Sequence, residues 1–366
     1  MTTIRDIIGH LESIAPPYYQ ESYDNSGLVV GDPATAVSGV IICLDSTEEV
    51  GQEAIEKKCN LIIAHHPIIF GGLRKINGKD YVEKTIIKAI KHDIAIYAIH
   101  TNLDNVLENG VNQKISEKLG LQNCRILLPK TQTLVKLTSF VPNNARDKVL
   151  NAVCSAGAGQ IGNYKNCSFY TTGTGSFTPT GNANPFLGEI NKPEQVEESR
   201  IEVILPEYLS QAVLNALKEA HPYEEVAYYL QKLENTDTNI GSGIIGTLEH
   251  PVASDFFLEQ IKEKLGVTCI RYTKLVKSSF CKVAVCGGSG SFLLKHAIAQ
   301  GADIFISADF KYHDFFDANN KITIADVGHF ESEQHTIQLL FDIINKKFSN
   351  FAVHLTQVIT NPVKYL

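Results

Sequence analysis

Short apolar runs alternate with amphipathic stretches over the first third of the chain. SGVIICLD (38–45), NLIIAHH (60–66) and IAIYAIH (94–100) are continuous apolar runs, the signature of strands buried on both faces. Between them, TEEVGQEAIEKKC (47–59), YVEKTIIKAIKHD (81–93) and NGVNQKISEKLG (109–120) repeat apolar positions at helical spacing, the last ending at Gly120. Ile4, Ile7, Ile8, Leu11 and Ile14 mark a helix at the start, with Thr3 as its N-cap. This order predicts an α/β layered sheet.

The last third repeats the plan. KVAVCGG (282–288), ADIFISAD (302–309) and KITIADVGH (321–329) read as strands, SGSFLLKHAIAQ (289–300) as a helix and ESEQHTIQLLFDIINKKF (331–348) as the closing helix. The two ends can be laid over each other element by element, which predicts an internal duplication. The middle differs. LVKLTSFVP (134–142), RIEVILP (200–206) and EVAYYLQKL (225–233) read as strands, NARDKVLNAVCSAG (144–157) and PEYLSQAVLNALKEA (206–220) as helices, and GNYKNCSFYTTGTGSFTP (162–179) alternates like a hairpin. Two βα units with added strands predict a ferredoxin-like α+β module. The expected organisation is therefore a first α/β half over 1–126, an inserted module over 127–249 and a second α/β half over 250–366.

Composition narrows the function classes. The chain has 366 residues, 44% hydrophobic and 20% charged, with a formal net charge of −7. Such a balance excludes a general nucleic-acid binder, which carries a basic face. No apolar stretch reaches membrane-spanning length, and the N-terminus lacks the basic start and apolar block of a signal peptide. The 8 cysteines include no CxxC pair and read as reduced residues of a cytoplasmic protein.

The chemistry collects where apolar runs stop. Leu61–Ala64 ends at His65-His66-Pro67, and Ile94–Ile99 ends at His100-Thr-Asn-Leu-Asp104. Ile322–Ala325 runs into Asp326-Val-Gly-His329-Phe-Glu331-Ser-Glu333, where His329 and Glu333 fall on one helical face. Ligands of open α/β sheets bind at the carboxyl ends of strands, so these three ends are expected to converge. Three imidazoles and two carboxylates (His65, His66, Asp104, His329 and Glu333) suit Zn, Mn, Fe or Ni better than Mg or Ca, and are enough for two ions. A bridging carboxylate, Asp104 in this reading, would hold the pair roughly 3.5–4 Å apart, able to polarise a carbonyl or phosphoryl oxygen.

His100, His313 and Asp45 are the candidates for moving protons. The two histidines also read as hydrogen-bonded core residues. Asp45 reads equally as a base, as a partner that holds a ligand, or as the N-cap of the helix near Thr47. Asp24-Asn25 and Asp309 sit at comparable loop or strand ends. The turn CGGSGSF (286–292) can cradle a phosphate or simply be tight. It lacks the P-loop and dinucleotide spacings, which favours the tight turn.

These residues resemble the Nif-three-like dinuclear-metal hexamer family, also labelled GTP cyclohydrolase I type 2. YDNSGLVVGD (23–32), CLDST, LIIAHHPIIF, AIHTNLDN, GADIFISADFKYH and DVGHFESE look like its motifs in order, over nearly the whole chain. GQIGNYKNCSFYTTGTGSFTPTGNANPFLG (159–188) and HPYEEVAYYL (221–230) resemble the insert of its longer members, which is similar to the PII and CutA folds. Tyr23 stands where the family usually has Trp, and Ser307-Ala308-Asp309 where it usually has Thr-Gly-Asp. The resemblance implies that the same five residues ligate two divalent ions, that Zn is the first candidate and that the assembly is a homohexamer. It points to a metal-dependent hydrolase of a nucleotide or related heterocycle. A metal-dependent phosphoesterase would need the same ligands. A regulatory protein whose insert senses a small ligand or a partner is the remaining reading, motivated by the Gly-rich hairpin and by HPYEE. That segment also reads as a plain strand start.

Overall fold

The computed structural model describes all residues 1–366. In chain order its elements are α1 (Ile4–Ile14), β1 (Gly27–Val30), β2 (Gly39–Cys43), α2 (Glu48–Glu56), β3 (Leu61–Ala64), α3 (Tyr81–Lys91), β4 (Ala95–Ala98), α4 (Thr101–Asp104), α5 (Val111–Leu119) and β5 (Gln122–Pro129). There follow β6 (Leu134–Pro142), α6 (Arg146–Ser155), β7 (Phe169–Phe177), β8 (Glu194–Pro206), α7 (Ser210–Ala220) and β9 (Tyr228–Lys232). The chain closes with β10 (Gly241–Ala253), α8 (Ser254–Leu265), β11 (Arg271–Tyr272), β12 (Ser279–Ser289), α9 (Leu294–Ala299), β13 (Ile304–Ala308), β14 (Thr323–Asp326), α10 (His329–Glu333), α11 (Thr336–Lys347) and β15 (Ala352–Leu355). No helix is long and apolar enough to cross a membrane.

The chain divides into two compact units, one of residues 1–129 with 238–366 and one of residues 130–237. The sequence boundaries of 127 and 249 enclose more. β5 and β10 pair antiparallel with each other, and β10 pairs on with β12, so their backbone hydrogen bonds tie 122–129 and 241–253 to the α/β unit.

The α/β unit is built twice. Each half runs helix, edge strand, then three parallel strands with helical crossovers. One sheet has the order β1-β4-β3-β2-β15 and the other β11-β14-β13-β12-β10-β5. In each, the edge strand (β1 or β11) is antiparallel to the third parallel strand (β4 or β14). The parallel strands are buried at nearly every residue, because helices cover both faces. One core joins α1, α5, α8 and α11 to the facing sides of the two sheets. Smaller cores hold α2 and α3 on the far side of the first sheet, and α9 with the 3₁₀ segment Tyr312–Ala318 on the far side of the second. Each buried Ile, Leu or Val in these layers contributes about 1.5–3 kcal/mol.

The local signals are visible. Thr3 and Asp6 form a reciprocal capping box at α1, Asp80 caps α3, and α5 ends at Gly120 in the left-handed region. The closing helix is divided at Gln334–His335 into α10 and α11, and the Gln334 side chain donates to the carbonyls of Leu265 and Glu331. The halves are also laced together. β5, which follows the last helix of the first half, extends the sheet of the second. β15, which follows the last helix of the second half, pairs parallel with β2 of the first.

The second unit has chain order β6-α6-β7-β8-α7-β9 and sheet order β7-β8-β6-β9, all antiparallel. This βαββαβ arrangement is ferredoxin-like. Its core lies between the sheet and α6 with α7. The segment 162–179 is not a hairpin. Only β7 is a strand there, and its partner is β8, across the connection 178–193. The chain before β7 turns back on itself instead, with Cys167 N donating to Gly159 O.

Candidate metal centre

His65 and His66 follow β3 directly, and their amides still donate to Cys43 O at the end of β2 and to Leu44 O just after it. Pro67, with no N–H, ends that ladder. Asp104 closes the short helix α4 that follows β4, and His329 and Glu333 begin and end α10, which follows β14. The three strand ends meet within the α/β unit.

Every imidazole here is held by its Nδ1. His65 Nδ1 donates to Ile99 O at 2.8 Å, and His66 Nδ1 lies 2.8 Å from Asp45 Oδ1. His329 Nδ1 lies 2.6 Å from Asp309 Oδ2, and His100 Nδ1 2.9 Å from Asp24 Oδ1. With each Nδ1 engaged, the Nε2 atoms are left for the interior. His66 Nε2 and His329 Nε2 lie 2.9 and 3.1 Å from Glu333 Oε2, and 3.4 Å from each other. His65 Nε2 is 3.9 Å from Glu333 Oε1 and 3.6 Å from Asp104 Oδ1. Glu333, not Asp104, is the carboxylate with an oxygen within 4 Å of all three rings.

Gly288, at the end of β12, has φ of +60° and a Cβ there would fall 2.4 Å from Glu333 Oε1. A side chain at that position would strain the backbone and displace the carboxylate.

The electrostatics follow from this crowding. Burial opposes charge on His66 and His329, but the carboxylates around them win. Asp45 with Glu333 raises His66 to about 9, and Asp309 with Glu333 raises His329 to about 11. Loss of water and then the Glu333 charge push Asp104 up to about 7. Burial would raise Glu333, yet its contacts with His329, His65 and His66 hold it well below the usual carboxylate range.

His65, His66 and Glu333 can hold a metal ion, since one ligand atom from each lies within 4.8 Å of the others. The donor set fits a borderline divalent cation, and two atoms at the cluster are otherwise orphaned. His65 Nε2 and Asp104 Oδ1 are both buried without a hydrogen-bond partner, a costly arrangement unless something else satisfies them.

The remaining candidates separate. His100 lies at the cluster, its ring 5.4 and 5.2 Å from those of His65 and His66. Asp45 does not cap α2; Thr47 does. Asp45 holds His66 and in turn accepts from Thr360 Oγ1 at 2.7 Å. His313 is exposed in the 3₁₀ segment, packed against Tyr312 and Phe316, and does not line the cavity. The Gly-rich turn reads as a tight turn more than as a phosphate cradle, because its two leading glycine amides are spent on side chains. Gly287 N donates to Asn112 Oδ1 and Gly288 N to Ser332 Oγ. Asp326 likewise takes the Arg271 guanidinium and the Phe310 amide.

The cluster opens into a cavity of about 670 Å³, with exposed Tyr23, Phe70 and Phe292 among its walls and Arg271 as the one Arg or Lys lining it. The sequence reading missed Arg271, Asn361 and Tyr365 of this wall. The last two lie in a segment without periodicity, where no signal was available.

A twice-built α/β domain with an imidazole–carboxylate cluster at its strand ends defines a class of protein able to hold metal between its halves. The profile of the Duf34/NIF3 (NGG1p interacting factor 3) family matches residues 2–362, and the chain belongs to that family. It is 38% identical over 367 residues to the Bacillus subtilis protein named GTP cyclohydrolase 1 type 2 homolog, covering 99% of this chain and 98% of that one. A homolog of the same name from Halalkalibacterium halodurans is 40% identical over 325 residues, 88% of this chain and 87% of that one. Among solved structures, a Bacillus cereus protein related to NIF3 superposes with a TM-score of 0.86 at 38% identity, covering 100% of this chain and 99% of that one. A Staphylococcus aureus protein gives 0.78 at 29% identity, with 100% and 99% covered.

Proposed function

We propose that this protein is a metal-dependent hydrolase in which His65, His66, Asp104, His329 and Glu333 hold two divalent ions, Zn by preference and Fe, Mn or Ni as alternatives. The observation that carries the reading is the orientation of the rings. Each Nδ1 is fixed by an oxygen, and the freed Nε2 atoms face Glu333 beside the orphaned Asp104 Oδ1. Bound ligand histidines are held by such outer partners. Ions placed there supply Lewis-acid polarisation and stabilise developing negative charge.

The chain's own groups do the rest. Asp24 fixes His100 through Nδ1, which leaves Nε2 available as a proton carrier on a ring that stands beside those of His65 and His66. Tyr23, Phe70 and Phe292 offer faces for a planar ring, and Arg271 offers a cation to an anionic group. That combination fits a nucleotide or related heterocycle, and the name borne by the relatives, GTP cyclohydrolase 1 type 2 homolog, points to purine ring opening. A phosphoesterase would use the same ligands on a phosphoryl group.

The resemblance of the motifs supports a homohexamer, and eight free cysteines are in keeping with the reducing cytoplasm. The test is purified protein loaded with each metal in turn and assayed on a panel of nucleotides and phosphate esters. Turnover that disappears in His65→Ala is expected. Turnover with no metal dependence, or unchanged in that variant, overturns the reading.

A further inference from the structure

The ferredoxin-like unit contains a cavity of its own, of about 690 Å³, built wholly from its own residues. It lies on the sheet face opposite α6 and α7. Phe140 on β6, Phe177 on β7 and Tyr229 on β9 contribute, together with Phe186 of the 178–193 connection and Tyr223 of HPYEE. Tyr223 is the hub, its ring 6.1 Å from Phe177, 6.2 Å from Phe186 and 5.0 Å from His221.

At the base stands Glu198 of β8, 9% exposed. One of its oxygens, Oε1, accepts the Tyr223 hydroxyl at 2.9 Å. The other, Oε2, receives no donor from the protein. The fold makes room for this carboxylate, since a Cβ on Gly175 of the neighbouring strand would fall 2.1 Å from Oε2. Glu224 and Glu225 also line the cavity. Arg200, its one cation, is paired with Glu202 at 2.6 Å, and the three glutamates leave the lining net acidic.

A mostly buried carboxylate with a free oxygen, a net acidic lining and several aromatic faces together select a positive charge on an apolar body. We propose that this cavity is a binding site for a small organic cation, an ammonium or guanidinium compound with an apolar chain or ring, whose charged head meets Glu198 Oε2 and whose body lies against Tyr223, Phe186 and Tyr229. The site is independent of the metal centre, and nothing in the hydrolase reading requires it. It gives the HPYEE segment and the Gly-rich strand β7 a shared task, the first supplying the aromatic hub and the second the space beside Glu198.

The test is calorimetric titration of the full-length protein with two probes, phenethylammonium chloride and agmatine, beside the neutral 3-phenylpropanol. The expected result is saturable binding of at least one cation, with the alcohol about tenfold weaker or worse, as befits loss of a charge-assisted hydrogen bond. Glu198→Gln should erase the preference for the cation, while Glu202→Gln on the same face should keep it. Tyr229→Ala, at an exposed position outside the core, should weaken the cation and the alcohol alike, and keeps the proposal testable if Glu198→Gln disturbs the fold by circular dichroism. Binding of neither cation, equal binding of cation and alcohol, or a Glu198→Gln protein that still prefers the cation overturns it.

Discussion

The two halves of the α/β unit carry one plan with different chemistry. Register aligns them: Val40 pairs with Leu61 as Val283 pairs with Ile304. On that alignment His66 corresponds to Asp309, and Asp45 to Gly288. In the first half Asp45 holds a ligand-type histidine. In the second half the aspartate at the place of His66 instead holds His329, and the place of Asp45 is emptied to glycine so that Glu333 can enter. Carried to the third parallel strand, the register sets Ala95 beside Thr323, so the pair His100 and Asp104 falls one residue short of the pair His329 and Glu333. Both histidines are held by aspartates, yet His329 meets the carboxylate four residues on, while His100 stands beside the cluster. Duplication therefore supplied the frame, and the division of labour came from a few substitutions at strand ends. The first half became the main donor of imidazole and the second the donor of the central carboxylate.

The comparison breaks most visibly at the two carboxylates. Glu333 approaches three imidazoles, and only the His65 ring lies within 4 Å of Asp104. Glu333→Gln should therefore cost more metal affinity than the ~10–100-fold typical of an outer partner, emptying both positions by elemental analysis. Asp104→Asn should retain one ion per chain. Equal losses would mean that the carboxylates play equivalent roles and that the asymmetry has no consequence. The aspartates behind the histidines come next. Asp309→Asn should weaken metal binding by about 10–100-fold, because it releases His329. Asp24→Asn should leave metal content unchanged and lower turnover instead. Metal loss in Asp24→Asn would make His100 a ligand after all.

The backbone effect is smaller. Gly288→Ala should destabilise the metal-free protein by about 1–2 kcal/mol through its left-handed conformation, read by chemical denaturation. It should weaken metal binding as well, because the new Cβ lies in the space of Glu333. Stability loss without metal loss would show that the glycine serves only the turn.

Much of this site was legible because its cause is local. A strand buried on both faces must be apolar, so the abrupt arrival of His65-His66, His100 or His329 at its end is conspicuous in one dimension. The aspartates that hold the rings were visible only as loop-end acids, since what makes Asp24, Asp45 and Asp309 matter is a partner 20 to 76 residues away. The exchange of β5 and β15 between the halves was not legible at all. A strand's pattern reports which faces are buried, not which sheet it joins. The hairpin expected in 162–179 failed for a related reason: Phe169–Phe177 is a strand, but its partner lies beyond a loop of low periodicity. His313 failed because a histidine beside aromatic residues reads the same whether it faces a cavity or solvent.

The finest contrast lies at the other end of the strands. Asn60 precedes β3 and Asp303 precedes β13 in register, and each side chain accepts from backbone at the start of the neighbouring strand. Asn60 Oδ1 takes Ser38 N at 2.9 Å, and Asp303 Oδ2 takes Cys281 N and Lys282 N at 2.8 Å each. The second half has made the same brace ionic. Burial would raise the Asp303 carboxyl, but Lys277 and the two amides outweigh it and hold it below the ordinary value. A group with a lowered folded value stabilises above its unfolded value, near 4, and the contribution fades as pH falls toward the folded value. Asp303→Asn, which converts the second half to the chemistry of the first, should cost about 1–2 kcal/mol at neutral pH, the worth of hydrogen bonds to a charged group less the neutral ones that remain. It should also flatten the acid limb of stability below pH 4, followed by denaturation across pH. An acid limb as steep as that of the unaltered protein would place its origin elsewhere and leave the ionic brace equivalent to the neutral one.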